Sequence, residues 1–248
     1  MKRLFRPCRA HSPAAIVQGL LALALSSATA VAAQEGKLRI VQTNSAGDNV
    51  HIIDPATNKV VQVIDGIPKA HGVAAAPDGG TLYFSNEIDR TLEIVPTDVM
   101  KVVERIPLSG RPHNVAISKD GRKVYVAIIQ DCRCVDIVDL EKGEVVKSIP
   151  TRGTVHNVFM SPDGRQLWST SKPNGHVYAW SLPDLEYLGG VEVGHIPDWL
   201  TMTPDSRYLY VANAGSNDVS VVDTKEMKEI ARIPVGQTPK RNKTVVFP

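Results

Sequence analysis

A short turn that returns on schedule constrains this chain more than anything else in it. Pro77-Asp78-Gly79, Lys119-Asp120-Gly121, Pro162-Asp163-Gly164 and Pro204-Asp205-Ser206 place an aspartate at intervals of 42, 43 and 42 residues. Before each turn lies a short apolar segment, as in Asn114-Val-Ala-Ile-Ser118, and after it a β-rich run, as in Tyr208-Leu-Tyr-Val211. A polar loop, an alternating strand (Val219-Ser-Val-Val222) and a last strand (Glu229-Ile-Ala-Arg-Ile233) complete the unit. Four short strands per unit, separated by turn chemistry, predict the blade of a β-propeller. A helical solenoid of similar period would need apolar residues at i, i+3, i+4 and i+7. These segments alternate with period two and are rich in Val, Ile and Tyr, so that reading fails.

The ends of the repeat give the blade count. Residues 40–64 align without a gap onto 209–233, with Asp54 on Asp223, so the first blade begins at its second strand. The C-terminal Asn242-Lys-Thr-Val-Val-Phe247 has the composition of the missing inner strand. The expectation is an all-β fold of five four-stranded blades, its ring closed by the C-terminal strand pairing into the N-terminal blade. Closure satisfies the edges that an open array would leave exposed.

Residues 1–33 stand outside this pattern. Lys2, Arg3, Arg6 and Arg9 precede an apolar run from Ala14 to Leu25, and Val31-Ala32-Ala33 offers small residues for cleavage before Gln34. That is the grammar of a Sec-type signal peptide. The apolar run is shorter than the roughly 20 residues that a membrane span needs. The reading is a signal peptide over 1–33 and a single propeller domain over 34–248, periplasmic or secreted, with no span left after cleavage. The leader carries four basic and no acidic side chains, so the whole-chain charge of +2 falls to −2 without it. That balance argues against nucleic acid as a partner.

Tyr210-Val-Ala-Asn213, Val219-Ser-Val-Val-Asp223 and Ile233-Pro-Val-Gly236 resemble the YVTN β-propeller repeat, and the resemblance covers residues 38–248. It implies an exported propeller and a kinship with the haem-d1-binding domain of cytochrome-cd1 nitrite reductase. It suggests a haem as the cofactor class, and the histidines described below suggest a transition metal (Cu, Zn or Fe). The function expected is a module binding a small ligand or a periplasmic protein partner at the channel mouth; the alternative is a periplasmic metal- or haem-dependent oxidoreductase, or a haem- or copper-handling protein.

Departures from the repeat indicate where such a function would lie. Seven residues before each turn aspartate stand His71, His113, His156 and then Asp198, and the same slot in the C-terminal unit falls at Lys240. In a propeller this slot lies where a loop joins the innermost strand, so all such slots converge on one mouth of the central channel. Neutral imidazoles beside a carboxylate suit a borderline metal, and repetition of a structural histidine is the plainer alternative. His195, Arg111 and Lys69 lie on the loops leading to these slots, and Trp199 adjoins Asp198; these are candidate ligand contacts. Cys132 and Cys134, on a loop at the same end, offer either thiolates for a thiophilic metal or an oxidised pair. The turn aspartates, with Asp54, Asp139 and Asp223 at strand ends, read as turn formers. Trp168 and Trp180 read as packing between blades.

Overall fold

The computed structural model describes residues 37–151, 153–242, 244 and 247. The leader expected over residues 1–33 lies outside them. The described chain is almost wholly β, with one short 3-10 turn at Lys172–Asn174, and it forms five antiparallel sheets, each continuous in sequence. Blade 1 has three strands among the described residues, Ile40–Thr43, Asn49–Asp54 and Lys59–Asp65. Blades 2 to 5 have four each, and their inner strands are Ala70–Ala75, Pro112–Ile117, Val155–Met160 and Pro197–Met202. This is the five-bladed propeller that the repeat predicts.

The aspartate turns behave as expected. Each of Asp78, Asp120, Asp163 and Asp205 accepts a hydrogen bond from the backbone two residues on, at 2.8 to 3.1 Å. The next residue (Gly79, Gly121, Gly164 or Ser206) takes a positive φ of 61° to 76°. Asp54, Asp139 and Asp223 cap their turns in the same way. The alternation of Val, Ile and Tyr is spent on packing between blades. Second strands such as Thr81–Asn86, Lys123–Ile128 and Gln166–Ser171 are buried along nearly their whole length, because neighbouring blades cover both faces. Outer strands such as Lys59–Asp65 and Lys228–Pro234 are mostly exposed.

Apolar side chains therefore collect into separate seams. Val50, Ile52, Ile64, Leu82 and Phe84 join blades 1 and 2, and Tyr83, Leu92, Val124 and Val126 join blades 2 and 3. Trp180 packs with Tyr125 and Ile137 between blades 3 and 4, and Trp168 with Leu200 and Leu209 between blades 4 and 5. Each such side chain contributes about 1.5–3 kcal/mol on burial.

The expected closing strand runs through residues 243, 245 and 246, which lie outside the described residues. Its neighbours Asn242 and Thr244 lie against blade 5. The Thr244 amide donates to Thr201 Oγ1 at 3.1 Å, its hydroxyl donates to the Met202 carbonyl at 2.8 Å, and Asn242 Nδ2 donates to the Tyr210 carbonyl at 3.2 Å. Thr201 and Thr244 are 43 residues apart, as are Asn114 and Asn157, which bond at 2.9 Å between adjacent inner strands.

Candidate functional site at the channel mouth

A register shift in every complete blade builds the site. In blade 2, Ala70 pairs with Asn86 and Val73 with Phe84, so two inner-strand residues oppose Ser85 alone. The same bulge falls at Pro112/Val115, Val155/Val158 and Pro197/Trp199. His71, His113, His156 and Asp198 are the bulged residues. A bulge re-aims side chains and frees backbone groups from the ladder, and here hydroxyls take up the freed amides: Gly72 donates to Ser85 Oγ at 2.8 Å and Asn157 to Thr170 Oγ1 at 3.0 Å. Gly72 is required at its bulge, since a Cβ there would lie 2.7 Å from the His113 carbonyl oxygen.

The slots converge. His71 and His113 have ring centroids 3.5 Å apart, and His113 and His156 are 4.0 Å apart, the pairs tilted by 38° and 45°, so the three imidazoles form a close-packed arc. Backbone carbonyls of the following blade orient two of them. His113 Nδ1 donates to the His156 carbonyl at 2.9 Å, and His156 Nδ1 to the Asp198 carbonyl at 3.1 Å. His71 has no equivalent bond; its Nδ1 is buried without a partner, and the Ser85 hydroxyl donates to the His113 carbonyl instead.

Two carboxylates flank the arc. Glu87, just past the second strand of blade 2, is buried and accepts from Arg111 Nε at 2.8 Å, with Lys69 Nζ 3.3 Å away and His71 Nε2 at 4.0 Å. At the other end Lys172, from the 3-10 turn, pairs with buried Asp198, whose Oδ1 lies 3.6 Å from His156 Nδ1. A cavity of about 220 Å³ opens between His71, His156, Lys172, Asp198, Trp199, Lys240 and Arg241. Below it the channel, about 610 Å³, is lined by the inner strands from Gly72 to Leu200. Arg241 rests on the Trp199 ring, 5.3 Å from its centroid. Among the described residues no carboxylate pairs with Lys240 or Arg241.

The histidines are neutral at pH 7. Burial pushes His113 down to about 2, and His156 and His71 beside it add to the effect. Burial lowers His156 to about 4, reinforced by Lys172 and opposed by Asp198. Burial also lowers His71, with Glu87 opposing it and Arg241, Lys69 and Arg111 adding to it. Neutral imidazoles keep one ring nitrogen able to accept or to ligate.

The structure thus brings together His71, His113, His156, Asp198, Trp199 and Lys240. Arg111 and Lys69 reach the mouth but are turned onto Glu87. His195 is exposed and lines neither cavity. Cys132 and Cys134 are joined in a disulfide away from the mouth cavity, so in this state they offer no thiolate. The sequence reading omits Glu87, Lys172 and Arg241. Glu87 and Lys172 share one slot, nine residues after a turn aspartate, but Ile129 and Ala214 fill it in the other blades, so only its burial and three basic neighbours identify Glu87.

One ligand atom each from His71, His113 and Glu87 lie within 4.8 Å of one another, a spacing that a metal ion can bridge; His156 is outside this set.

The sequence matches the family described as the cytochrome D1 heme domain over residues 34–248. The chain belongs to that family. Two of the solved structures that resemble the chain illustrate the shared propeller. One is a functionally unknown protein from Desulfotomaculum acetoxidans DSM 771, with a TM-score of 0.74 and 15% identity, over 84% of this chain and 68% of that one. The other is the dihydro-heme d1 dehydrogenase NirN in complex with DHE, with a TM-score of 0.67 and 20% identity, over 81% of this chain. This family member spans 44% of the NirN chain. No curated protein matches it in sequence. No helix among the described residues is long and apolar enough to cross a membrane.

Proposed function

We propose that this protein is an exported propeller that binds a carboxylate-bearing tetrapyrrole of the haem-d1 class at the mouth of its channel. The observation that carries the reading is the charge of the mouth. Lys69, Arg111, Lys172, Lys240 and Arg241 surround two carboxylates and three neutral imidazoles, and Lys240 and Arg241 face no carboxylate among the described residues. Cations left uncompensated in a concave site attract an anionic ligand.

The residues present fit such a group in two respects. Lys240 and Arg241 would hold carboxylates, and Arg241 is held in place by Trp199. His71 would offer a neutral imidazole, its buried Nδ1 still without a partner. The mouth cavity, about 220 Å³, is smaller than the roughly 300–1,000 Å³ of sites that enclose a drug-sized ligand. The mouth would therefore grip its ligand by an edge. Bound there, the group would supply a redox-active iron; Lys240 and Arg241 would neutralise its carboxylates, and His71 would offer it a neutral imidazole.

The test is a visible-absorbance titration with haem d1 extracted from a nitrite reductase, and with iron protoporphyrin IX as a second probe. A saturable spectral shift is expected, weakened at least about tenfold in Lys240→Ala/Arg241→Ala, on the scale of two lost charge-assisted contacts. No shift with either probe, or an unchanged affinity in the double variant, refutes the proposal.

A second reading, a transition-metal site, rests on the His71, Glu87 and His113 spacing. It is the weaker one, because Arg111 and Lys69 already compete for the Glu87 carboxylate through Oε2, leaving only Oε1 toward His71. Stoichiometric Cu, Zn or Fe that disappears in Glu87→Gln would favour it.

A further inference from the structure

Outside the mouth, the most unusual chemistry lies on the loop between the second and third strands of blade 3. Cys132 and Cys134 are joined there across a single residue, with Cα atoms 5.3 Å apart. Closing so short a loop restricts the unfolded chain far less than closing a long one, so stability is a poor reason for this bond. The two sulfurs differ in access. Cys132 is exposed, while Cys134 begins the third strand and is 2% exposed.

Behind the bond sits Asp136, fully buried. It accepts from the Ser109 amide at 2.8 Å, from Ser109 Oγ at 2.7 Å and from Ser148 Oγ at 2.6 Å. Among the described residues no cation pairs with it. A buried carboxylate held only by neutral donors, one amide and two hydroxyls, is costly. Its Oδ1 lies 3.5 Å from Cys134 Sγ, and Ser109 Oγ lies 3.1 Å from Cys132 Sγ and 3.4 Å from Cys134 Sγ. An oxidised Cys134 has no proton to donate to that carboxylate, whereas a reduced one does. The reduced state therefore finds its hydrogen-bond acceptor already in place.

We propose that Cys132–Cys134 is a redox-active disulfide that exchanges with an external dithiol. A thiolate of the dithiol attacks the exposed Cys132 Sγ, and a new S–S bond forms as the Cys132–Cys134 bond breaks. Cys134 leaves as thiolate and takes up the proton that the attacking thiol released, with Asp136 Oδ1 accepting the new S–H. The second thiol of the reductant then attacks its own sulfur in the mixed disulfide and expels Cys132 as thiol. Two electrons pass to the protein, and the reductant departs as a disulfide. Access sets the point of attack, since the Cys132 sulfur is exposed and the Cys134 sulfur is buried, and the acceptor at Asp136 Oδ1 holds Cys134 once it is protonated.

The test uses the full chain carrying Cys8→Ser, so that only these two thiols report. Low-millimolar dithiothreitol in native buffer, followed by alkylation and intact-mass measurement, should add two alkyl groups with the near-ultraviolet circular dichroism unchanged. Oxidised dithiothreitol should reverse it. Alkylation that appears only in denaturant overturns the proposal. With oxidised glutathione, Cys134→Ser should accumulate at least about ten times more mixed disulfide than Cys132→Ser, because the second leaves only the buried sulfur. Equal adduct in the two variants overturns the assigned point of attack.

Discussion

The seams between blades and the mouth of the channel are built from the same repeat and obey opposite rules. In the seams each unit supplies interchangeable apolar bulk: Phe84 between blades 1 and 2, Tyr83 and Val126 between 2 and 3, Trp180 between 3 and 4, and Trp168 between 4 and 5. At the mouth one slot holds His71, His113, His156 and Asp198, and no two of these side chains have the same partners. Packing tolerates any residue of suitable volume and shape, so a seam can be propagated by repetition. Polar groups in a crowded, part-buried space each need a specific partner, and there the units diverge. The comparison separates what holds the molecule together from what it presents to a ligand.

The largest effect should come from a seam. Trp168 is fully buried, and Trp168→Ala should cost about 3–5 kcal/mol, read as a lower midpoint in urea with the mouth's ligand affinity scaling only with the folded fraction. A loss below about 1 kcal/mol would mean that the seams carry less of the stability than argued here.

The closing segment tests whether the seam between blades 5 and 1 resembles the others. Deleting residues 240–248 removes four hydrogen bonds made by Asn242 and Thr244, at about 1 kcal/mol each. The expected cost is therefore about 4 kcal/mol, read in the same urea unfolding. A truncated chain that melts unchanged would show that the C-terminal segment is a loose tail and that the ring does not close through it.

The smallest of the three effects belongs to the mouth and depends on pH. His71, His113 and His156 all have lowered native pKa values. A base depressed on folding binds fewer protons in the native state than in the unfolded one, so its contribution is complete above the unfolded value of about 6.5 and is lost as the pH falls below it. His156 reaches its limit near pH 4, while His113, held down to about 2, goes on losing stability beneath that. Between pH 6.5 and 5 His113 and His156 should together cost about 3 kcal/mol, with His71 adding in the same direction. In His113→Asn/His156→Asn most of this slope should disappear; a variant with the wild-type slope would mean that other groups govern acid unfolding.

Much of this architecture is legible in the sequence because it is local and repeated. The aspartate turns depend on a side chain bonding backbone two residues on, and the strands on period-two alternation, so both appear in any single unit. The convergence of His71, His113, His156 and Asp198 follows from position in the unit, since inner strands must surround the channel. Glu87 is hard to see by the same logic: its partners His71, Lys69 and Arg111 are 16 to 24 residues away, and its own slot holds Ile129 and Ala214 in other blades. His195 has the right position in sequence for the mouth, but its loop leaves it in solvent.

The sequence by itself determined the all-β class, the number of blades and the end of the channel at which unlike residues gather, because each of these depends on spacing along the chain. The tertiary structure alone decided the bulge that re-aims every slot, the burial that keeps the histidines neutral, and the engagement of Arg111 and Lys69 with Glu87 while Lys240 and Arg241 face the cavity. Register, desolvation and ion pairing are relations between strands of different blades, and they come into being only when the blades pack around the channel.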